Sequence, residues 1–327
     1  MNKYKELKSL KRNKRICLIG HIEPDPDALA SMIVFRDFLI NHFKCNQVDI
    51  FADCDQVSEN LLPILGQTSI NTNNIQYDTA IMMDSPNSDR LGCYKDIFEF
   101  AKQKIVIDHH VTNTKCGDVN IVEICSSTCE IVCTILKEFK FKISKENQGK
   151  LYAGIITDTN NFTVGSISER TFKIASEFSK NIDTSVIHNH FLSNNSLKNM
   201  QLLGLAIKNI KTYENNQIII SHITQEEAKK LNANFNDFYG IINHLATINS
   251  AKLICFIKPK DDYYYVGMRV RRKGGDVSII AKEFGGGGHV GAAAFSSNEN
   301  LEKIENLILS KFKEQLKNTL NEHNKLF

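Results

Sequence analysis

The sequence has no apolar run long enough to cross a bilayer. Its early apolar stretch "ICLIG" falls far short of the roughly 20 residues a spanning helix needs. No export signal is expected either. The basic start "MNKYKELKSLKRNKR" is not followed by an apolar segment of about 7–15 residues and a cleavage site. Net charge is small: 40 Lys and Arg against 37 Asp and Glu leave +3. That is too small to imply wholesale binding of polyanions and leaves phosphate recognition to local sites. The nine cysteines are an odd count without a framework of spacings, which fits a reducing compartment. There is no internal repeat and no low-complexity tract. A cytoplasmic protein with no membrane partner is expected.

At 327 residues the chain exceeds the common single-domain size, so two domains are expected. The first half alternates. "RICLIG", "QVDIFA", "DTAIMM" and "KIVI" are short apolar runs separated by helical patterns, the first of these over about Asp27 to Phe43. This order predicts an α/β domain with a parallel sheet covered by helices on both faces. Helices are predicted from Ser127 to Lys140, Ser144 to Ile156 and Ser168 to Phe178. Cys125, Cys129 and Cys133 fall four apart, which reads as the buried stripe of a helix, with a thiolate metal cluster as the alternative.

One helix from about Ser193 to Lys211 is a candidate bridge. Beyond it "QIIISHIT", "KLICFIKP" and "DYYYVGMRV" read as strands. "TQEEAKKL", "DFYGIINHLATI" and "DVSIIAKEF" read as helices, before a closing helix from Asn300 to about Leu320. The division is a first domain over 1–190, a helical linker over 191–215 and a smaller α/β domain over 216–327.

The residues just beyond each early strand carry the chemistry. "RICLIG" runs into His21, Asp25 and Asp27, "DTAIMM" into Asp84, and "KIVI" into Asp108, His109 and His110. Asp158 comes after the apolar Ile155–Ile156 in "GIITDTNNF". Ligands of open α/β sheets bind outside the carboxyl ends of the strands, so these groups should converge. Singly, Asp27 or Asp84 reads as a helix N-cap. Together, several carboxylates at one place raise each other's pKa, and a divalent cation removes that cost. An Asp-rich set with imidazole and no thiolate favours Mn²⁺ or Mg²⁺ over structural zinc, and imidazole shifts the choice toward Mn²⁺. The ligands suffice for two ions about 3.5–4 Å apart, an arrangement that hydrolyses phosphoesters.

The segments "HIEPDPDA", "MMDSP", "IDHHVTN" and "ITDT" resemble, in order, the four motifs of the DHH phosphoesterases. "FGGGGHVGAAAF" resembles the glycine-rich motif of the DHHA1 domain. The resemblance covers nearly the whole chain. It implies a compact two-domain enzyme of the branch that holds oligoribonucleases, 3′-phosphoadenosine 5′-phosphate phosphatases and stand-alone cyclic-di-AMP phosphodiesterases. It implies two Mn²⁺ ions per chain. His21, Asp25 and Asp84 would hold one, and Asp27, Asp84, His109 and Asp158 the other, with Asp84 bridging. Asp108 would orient His109, and His110 would face the scissile phosphate. Glu23, Pro26 and Asn160 depart from the commoner pattern, and Glu23 is expected to add a carboxylate close to the metals.

In the second domain the glycine tract suits backbone packed closely against a ligand, with a flexible linker as the alternative. Gly286, Gly287, Gly288 and His289 are candidates for binding substrate phosphate. Arg269 and Arg271 share one face of a strand, and by resemblance Arg269 is the better candidate for a substrate phosphate or base. Arg272 and Lys273 read as a solvated face. The expected division of labour is that the first domain cuts and the second holds the far end of a short nucleotide, with the gap between them setting its length. The expected partners are short adenine-containing nucleotides or a cyclic dinucleotide, with no long duplex nucleic acid, and a homodimer is left open. The alternatives are a 3′-phosphoadenosine 5′-phosphate phosphatase and a non-catalytic nucleotide sensor.

Overall fold

The computed structural model describes residues 4–12, 15–53, 59–66, 68, 70, 76–193, 195–271 and 274–324. The chain divides into two compact units, Met1–Asn194 and Asn195–Phe327. Among the described residues no helix is long and apolar enough to cross a membrane.

The first unit is built on β1 (Arg15–Ile19), β2 (Gln47–Phe51), β3 (Thr79–Met83), β4 (Gln103–Asp108) and β5 (Val119–Val122). They form one sheet in the order β2-β1-β3-β4-β5, and every pairing is parallel. Alternation along the strands explains why both faces are covered. Ile16, Leu18, Ile81, Met83, Ile105 and Ile107 enter one core with side chains of α1 (Pro26–Asn41). Cys17, Ile19, Ala80, Met82 and Val106 enter a second core on the opposite face.

Helices α2 (Leu62–Leu65) and α3 (Lys95–Glu99) are short. Longer ones come next as α4 (Thr128–Glu138), α5 (Lys145–Asp158), α6 (Glu169–Ser179) and α7 (Thr184–Leu192). Ser127 and Ser144 cap α4 and α5 by accepting from the Glu130 and Asn147 amides, so the predicted starts are one residue from the observed ones. β5 was not among the predicted strands. It is four residues long, and only Ile121 is buried. Cys129 and Cys133 lie on the buried side of α4, and Cys125 is buried just before it. Burial pushes the Cys125 thiol up to about 12, which suits an apolar stripe and not a thiolate ligand.

The second unit holds β6 (Lys211–Tyr213), β7 (Ile218–His222), β8 (Leu253–Lys260), β9 (Tyr263–Val270), β10 (Gly287–His289) and β11 (Ala292–Ser297). Their order is β10-β11-β9-β8-β7-β6. β7 and β8 run parallel, and the other pairs are antiparallel. One face packs on α11 (Val277–Glu283) and α12 (Leu301–Asn324). The other packs on α8 (Leu197–Lys208), α9 (Gln225–Lys230) and α10 (Ile241–Leu245).

Helix α8, expected inside a linking segment over 191–215, packs Leu202, Leu203 and Ala206 into the core of this unit. It ends at Lys208, and Lys211 already opens β6. The predicted helix "DFYGIINHLATI" is broken by Gly240 at φ +76°. A 3-10 turn, Phe235–Phe238, precedes the break and α10 comes after it. Arg272 and Lys273 lie outside the described residues, as does Asn194 within the predicted linker.

Candidate active site

The order β2-β1-β3 makes the chain leave β1 toward one side for β2 and the other for β3, so a crevice opens at the carboxyl ends of β1 and β3. The predicted residues arrive there from five places. Asp25 is the N-cap of α1. Its Oδ1 accepts from the Asp27 and Ala28 amides at 2.9 and 3.0 Å, and its Oδ2 lies 3.9 Å from His21 Nε2. The same His21 atom is 3.8 Å from Asp84 Oδ2, while its Nδ1 donates to the Ile22 carbonyl at 2.8 Å. That bond aims Nε2 at the carboxylates.

Asp84 comes directly after β3 with φ +55°, a left-handed backbone that a non-glycine residue adopts at a cost. The Asp84 amide donates to Ile107 O at 3.0 Å, so β4 holds it there. Its Oδ1 lies 3.5 Å from His109 Nε2 and accepts from Thr128 Oγ1 at 2.9 Å. One carboxylate therefore faces His21 with one oxygen and His109 with the other. His109 Nε2 is also 3.3 Å from Asp158 Oδ2, and its Nδ1 is 3.3 Å from Cys125 O. Asp158 comes from the last turn of α5, two residues beyond the predicted end of that helix.

Asp27 is buried in the first turn of α1. Its oxygens accept from the amides that open α4: Thr128 N at 2.7 Å and Cys129 N at 2.9 Å. A helix N-terminus is a favourable seat for a carboxylate.

The pairing of Asp108 corrects one expectation. Its Oδ1 meets His110 Nδ1 at 2.7 Å, and its Oδ2 accepts from Asn113 Nδ2 at 2.7 Å. It orients His110, and the Cys125 carbonyl takes the expected role toward His109. Side chains two apart leave an extended segment on the same side, which puts Asp108 with His110. Glu23, expected close to the metals, is exposed, has φ +51° and joins none of the candidate metal sets.

Those sets are His21, Asp25 and Asp84; Asp27, His109 and Asp158; and Asp84, His109 and His110, each with ligand atoms within 4.8 Å of one another. The electrostatics match the donor chemistry. Burial, then the neighbouring carboxylates, raise Asp27 and Asp158 well above the usual carboxylate range, and burial raises Asp84. Burial alone would lower His21, but the Asp25 hydrogen bond and the carboxylate charges lift it to about 9. His110 is likewise about 9, because its bond to Asp108 and nearby charge outweigh burial. Clustered carboxylates and imidazoles that hold protons in each other's company are a donor set suited to divalent cations. The hydroxyl of Thr128, the carbonyl of Cys125 and the amide of Asn113 were missed by sequence reasoning. "SST" before a helical pattern, and the Asn closing "DHHVTN", were the available signals.

In the second unit the glycine tract forms the edge strand β10 and not a linker. A Cβ on Gly286 would lie 2.1 Å from Ala294 O, and one on Gly288 2.4 Å from Ala292 O. Those glycines are needed for strand packing. A Cβ on Gly287 would meet nothing within 4 Å, so its own unit does not explain it. His289 pairs with Ala292 through its backbone, and its side chain lies outside the described residues. Arg269, on β9, is half-buried and donates to the Met268 carbonyl at 3.0 Å. Arg271 donates to the Ala246 and Ile248 carbonyls, a structural use that leaves Arg269 the better substrate candidate.

Residues 15–157 match the N-terminal domain of the DHH family, and residues 215–318 match the DHHA1 domain. A probable bifunctional oligoribonuclease and PAP phosphatase NrnA of Streptococcus mutans is 27% identical over 92% of this chain and 97% of its own. The bifunctional oligoribonuclease and PAP phosphatase NrnA of Bacillus subtilis is 26% identical over 87% of this chain and 90% of its own. Among solved structures, an exopolyphosphatase-related protein from Bacteroides fragilis superposes with a TM-score of 0.88 at 24% identity, covering 96% of each chain. With both family domains present in order on the folds described, the chain belongs to the DHH/DHHA1 family of phosphoesterases.

Proposed function

We propose that this phosphoesterase uses two divalent ions, Mn²⁺ by preference, to hydrolyse phosphodiesters of short oligoribonucleotides, with cyclic-di-AMP as a related substrate. The observation that carries the reading is Asp84, a buried carboxylate whose two oxygens face His21 and His109 separately. His21, Asp25 and Asp84 would hold one ion, and Asp27, Asp84, His109 and Asp158 the other. When bound, the ions activate water and neutralise the charge that develops on the phosphate.

The chain's own residues do the rest. The Ile22 and Cys125 carbonyls fix the rings of His21 and His109, and the opening turn of α4 fixes Asp27 and Asp84. Such outer contacts orient metal ligands. Asp108, itself held by Asn113, orients His110 through Nδ1, and we assign His110 to the scissile phosphate. In the second unit Arg269 and the open Gly287 are assigned to substrate binding. The names of the curated relatives support short oligoribonucleotides first, with 3′-phosphoadenosine 5′-phosphate as the second reading.

The test is a panel of turnover measurements on Mn²⁺-loaded protein with a short RNA, pApA, cyclic-di-AMP, 3′-phosphoadenosine 5′-phosphate and a chromogenic phosphodiester. Metal-dependent hydrolysis of RNA and pApA is expected. Turnover confined to 3′-phosphoadenosine 5′-phosphate would replace the first reading by the second. No turnover of any of them would overturn both.

A further inference from the structure

The sheet of the second unit carries a group of side chains that the roles above do not use. In β8, Leu253, Cys255 and Ile257 enter one core and Ile254 and Phe256 the other. Alternation therefore sets Lys258 and Lys260 on the face of Ile254 and Phe256. The register pairs Lys258 with Tyr265, Phe256 with Gly267 and Ile254 with Arg269, so Tyr265 and Arg269 share that face. Phe235 joins them from the 3-10 turn before α10. Lys258 Nζ lies 3.6 Å from the Phe235 ring centre and Lys260 Nζ 4.7 Å from it. Tyr265 stands edge-on to Phe235 with centroids 5.4 Å apart, and Lys258 Nζ is 5.3 Å from the Tyr265 ring.

Two ammonium groups on one ring repel each other. Burial and the charge of Lys260 bring the Lys258 ammonium down to about 8. Other lysines of this unit have acids: Lys198 pairs with Asp237, Lys211 with Glu305 and Lys311 with Glu283. Among the described residues, Lys258, Lys260 and Arg269 have no carboxylate ion pair. Two cations on aromatic rings, with Arg269 on the same sheet face and no acid paired to any of them, are complementary to an anionic ligand that also has a flat face. Stacking rings beside backbone-tracking cations is how proteins hold single-stranded nucleic acid. Tyr265 and Arg269 are four residues apart on β9, roughly 13 Å at about 3.3 Å per residue.

We propose that Phe235, Tyr265, Lys258 and Lys260 form a nucleotide subsite that takes a base on the rings and its phosphate on the lysines, on the same sheet face as Arg269. The proposal rests on the oligonucleotide reading above, and it gives the second unit a reason to prefer dinucleotides and longer single strands over mononucleotides.

The test measures pApA binding to the full chain in EDTA, where no turnover occurs, and Mn²⁺-dependent turnover of a chromogenic phosphodiester. Lys258→Met is expected to weaken pApA about tenfold or more and to leave turnover of the diester within about twofold. Lys258→Arg is expected to restore pApA, and retained turnover of the diester shows that the variants fold. The chain has no tryptophan, so Phe235→Trp supplies a single tryptophan at the subsite. Its emission is expected to respond to pApA and not to ribose 5-phosphate. Loss of diester turnover in step with pApA binding, no loss on pApA, or an equal response to ribose 5-phosphate overturns the proposal. Failure of the subsite with Mn²⁺-dependent cleavage of a chromogenic diester intact leaves the phosphoesterase reading standing. Lys258-dependent pApA binding without any cleavage does the reverse.

Discussion

Thr128 donates its hydroxyl to Asp84 Oδ1 at 2.9 Å, across 44 residues of sequence. The contact holds the carboxylate that faces both His21 and His109, and it comes from the same turn whose amides hold Asp27. Thr128→Val keeps shape and removes the donor. Hydrogen bonds to charged groups are worth about 1.5–3 kcal/mol, so kcat/KM is expected to fall roughly ten- to a hundredfold. Thr128→Ser should retain most activity. Full activity of the valine variant in steady-state kinetics would remove Thr128 from the site.

Asp84→Ala is expected to abolish hydrolysis and to lower the bound metal measured by elemental analysis, because its two oxygens face His21 and His109, one from each proposed ion site. Without metal, the same variant loses a buried carboxylate whose pKa is raised. Its metal-free melting temperature should therefore not drop below that of the wild type. Wild-type turnover at full metal occupancy would refute the bridging role.

Strand-end chemistry was legible in the sequence because a parallel strand must end somewhere, and here three end in His21, Asp84 and Asp108 or the residues beside them. Two things were hidden. One is which neighbour a side chain meets: Asp108 pairs with His110 and not His109, a matter of side-chain direction that adjacency cannot show. The other is support from distant segments. Cys125 and Thr128 reach the site only because α4 packs its first turn against Asp27, a contact 101 residues apart in sequence. The second fold was legible as strands and helices. Its α8 read as a connector because its buried side, Leu202, Leu203 and Ala206, becomes evident only against Ile219 and Phe256.

The Asp108–His110 pair separates positioning from metal binding. Asp108→Asn keeps the size and weakens the acceptor that holds His110 Nδ1. The expected result is a fall in kcat of at least about tenfold with metal content unchanged. A loss of metal equal to that of Asp84→Ala would place Asp108 among the ligands instead.

The titrating groups give stability a definite pH dependence. In the metal-free protein Asp27, Asp84 and Asp158 stand above their ordinary range, so ionising them costs stability as pH rises. His21 and His110 move from an ordinary 6.5 to about 9. Their contribution is complete below pH 6.5 and is lost as pH passes 9. Both effects have the same sign, and the metal-free melting temperature should fall across that window. Metal binding needs the deprotonated ligands. The gain in melting temperature from saturating Mg²⁺ should therefore grow from pH 6.5 to 9. Scanning calorimetry with and without Mg²⁺ decides, and a gain independent of pH would reject the assignment.

The glycines in and beside β10 divide into two kinds. Gly286 and Gly288 abut the Ala294 and Ala292 carbonyls, and Gly288 has φ +139°. Valine at either position should lower the melting temperature of the second unit and reduce use of short RNA. Gly287 faces open space, so Gly287→Val should fold normally and keep its metals. On a strand at the sheet edge the valine side chain instead stands where a ligand would approach the backbone. Turnover of a chromogenic phosphodiester, which needs only the first unit, should stay within about twofold of wild type. Short RNA loses contacts beyond the scissile phosphate, and remote contacts support the chemical step as well as binding. Its kcat/KM should fall roughly ten- to a hundredfold. Measuring kcat/KM for both substrates in all three variants is the check. A Gly287→Val variant that loses both equally would show the tract acting on the fold, and the second unit would then have no part in holding the nucleotide through β10.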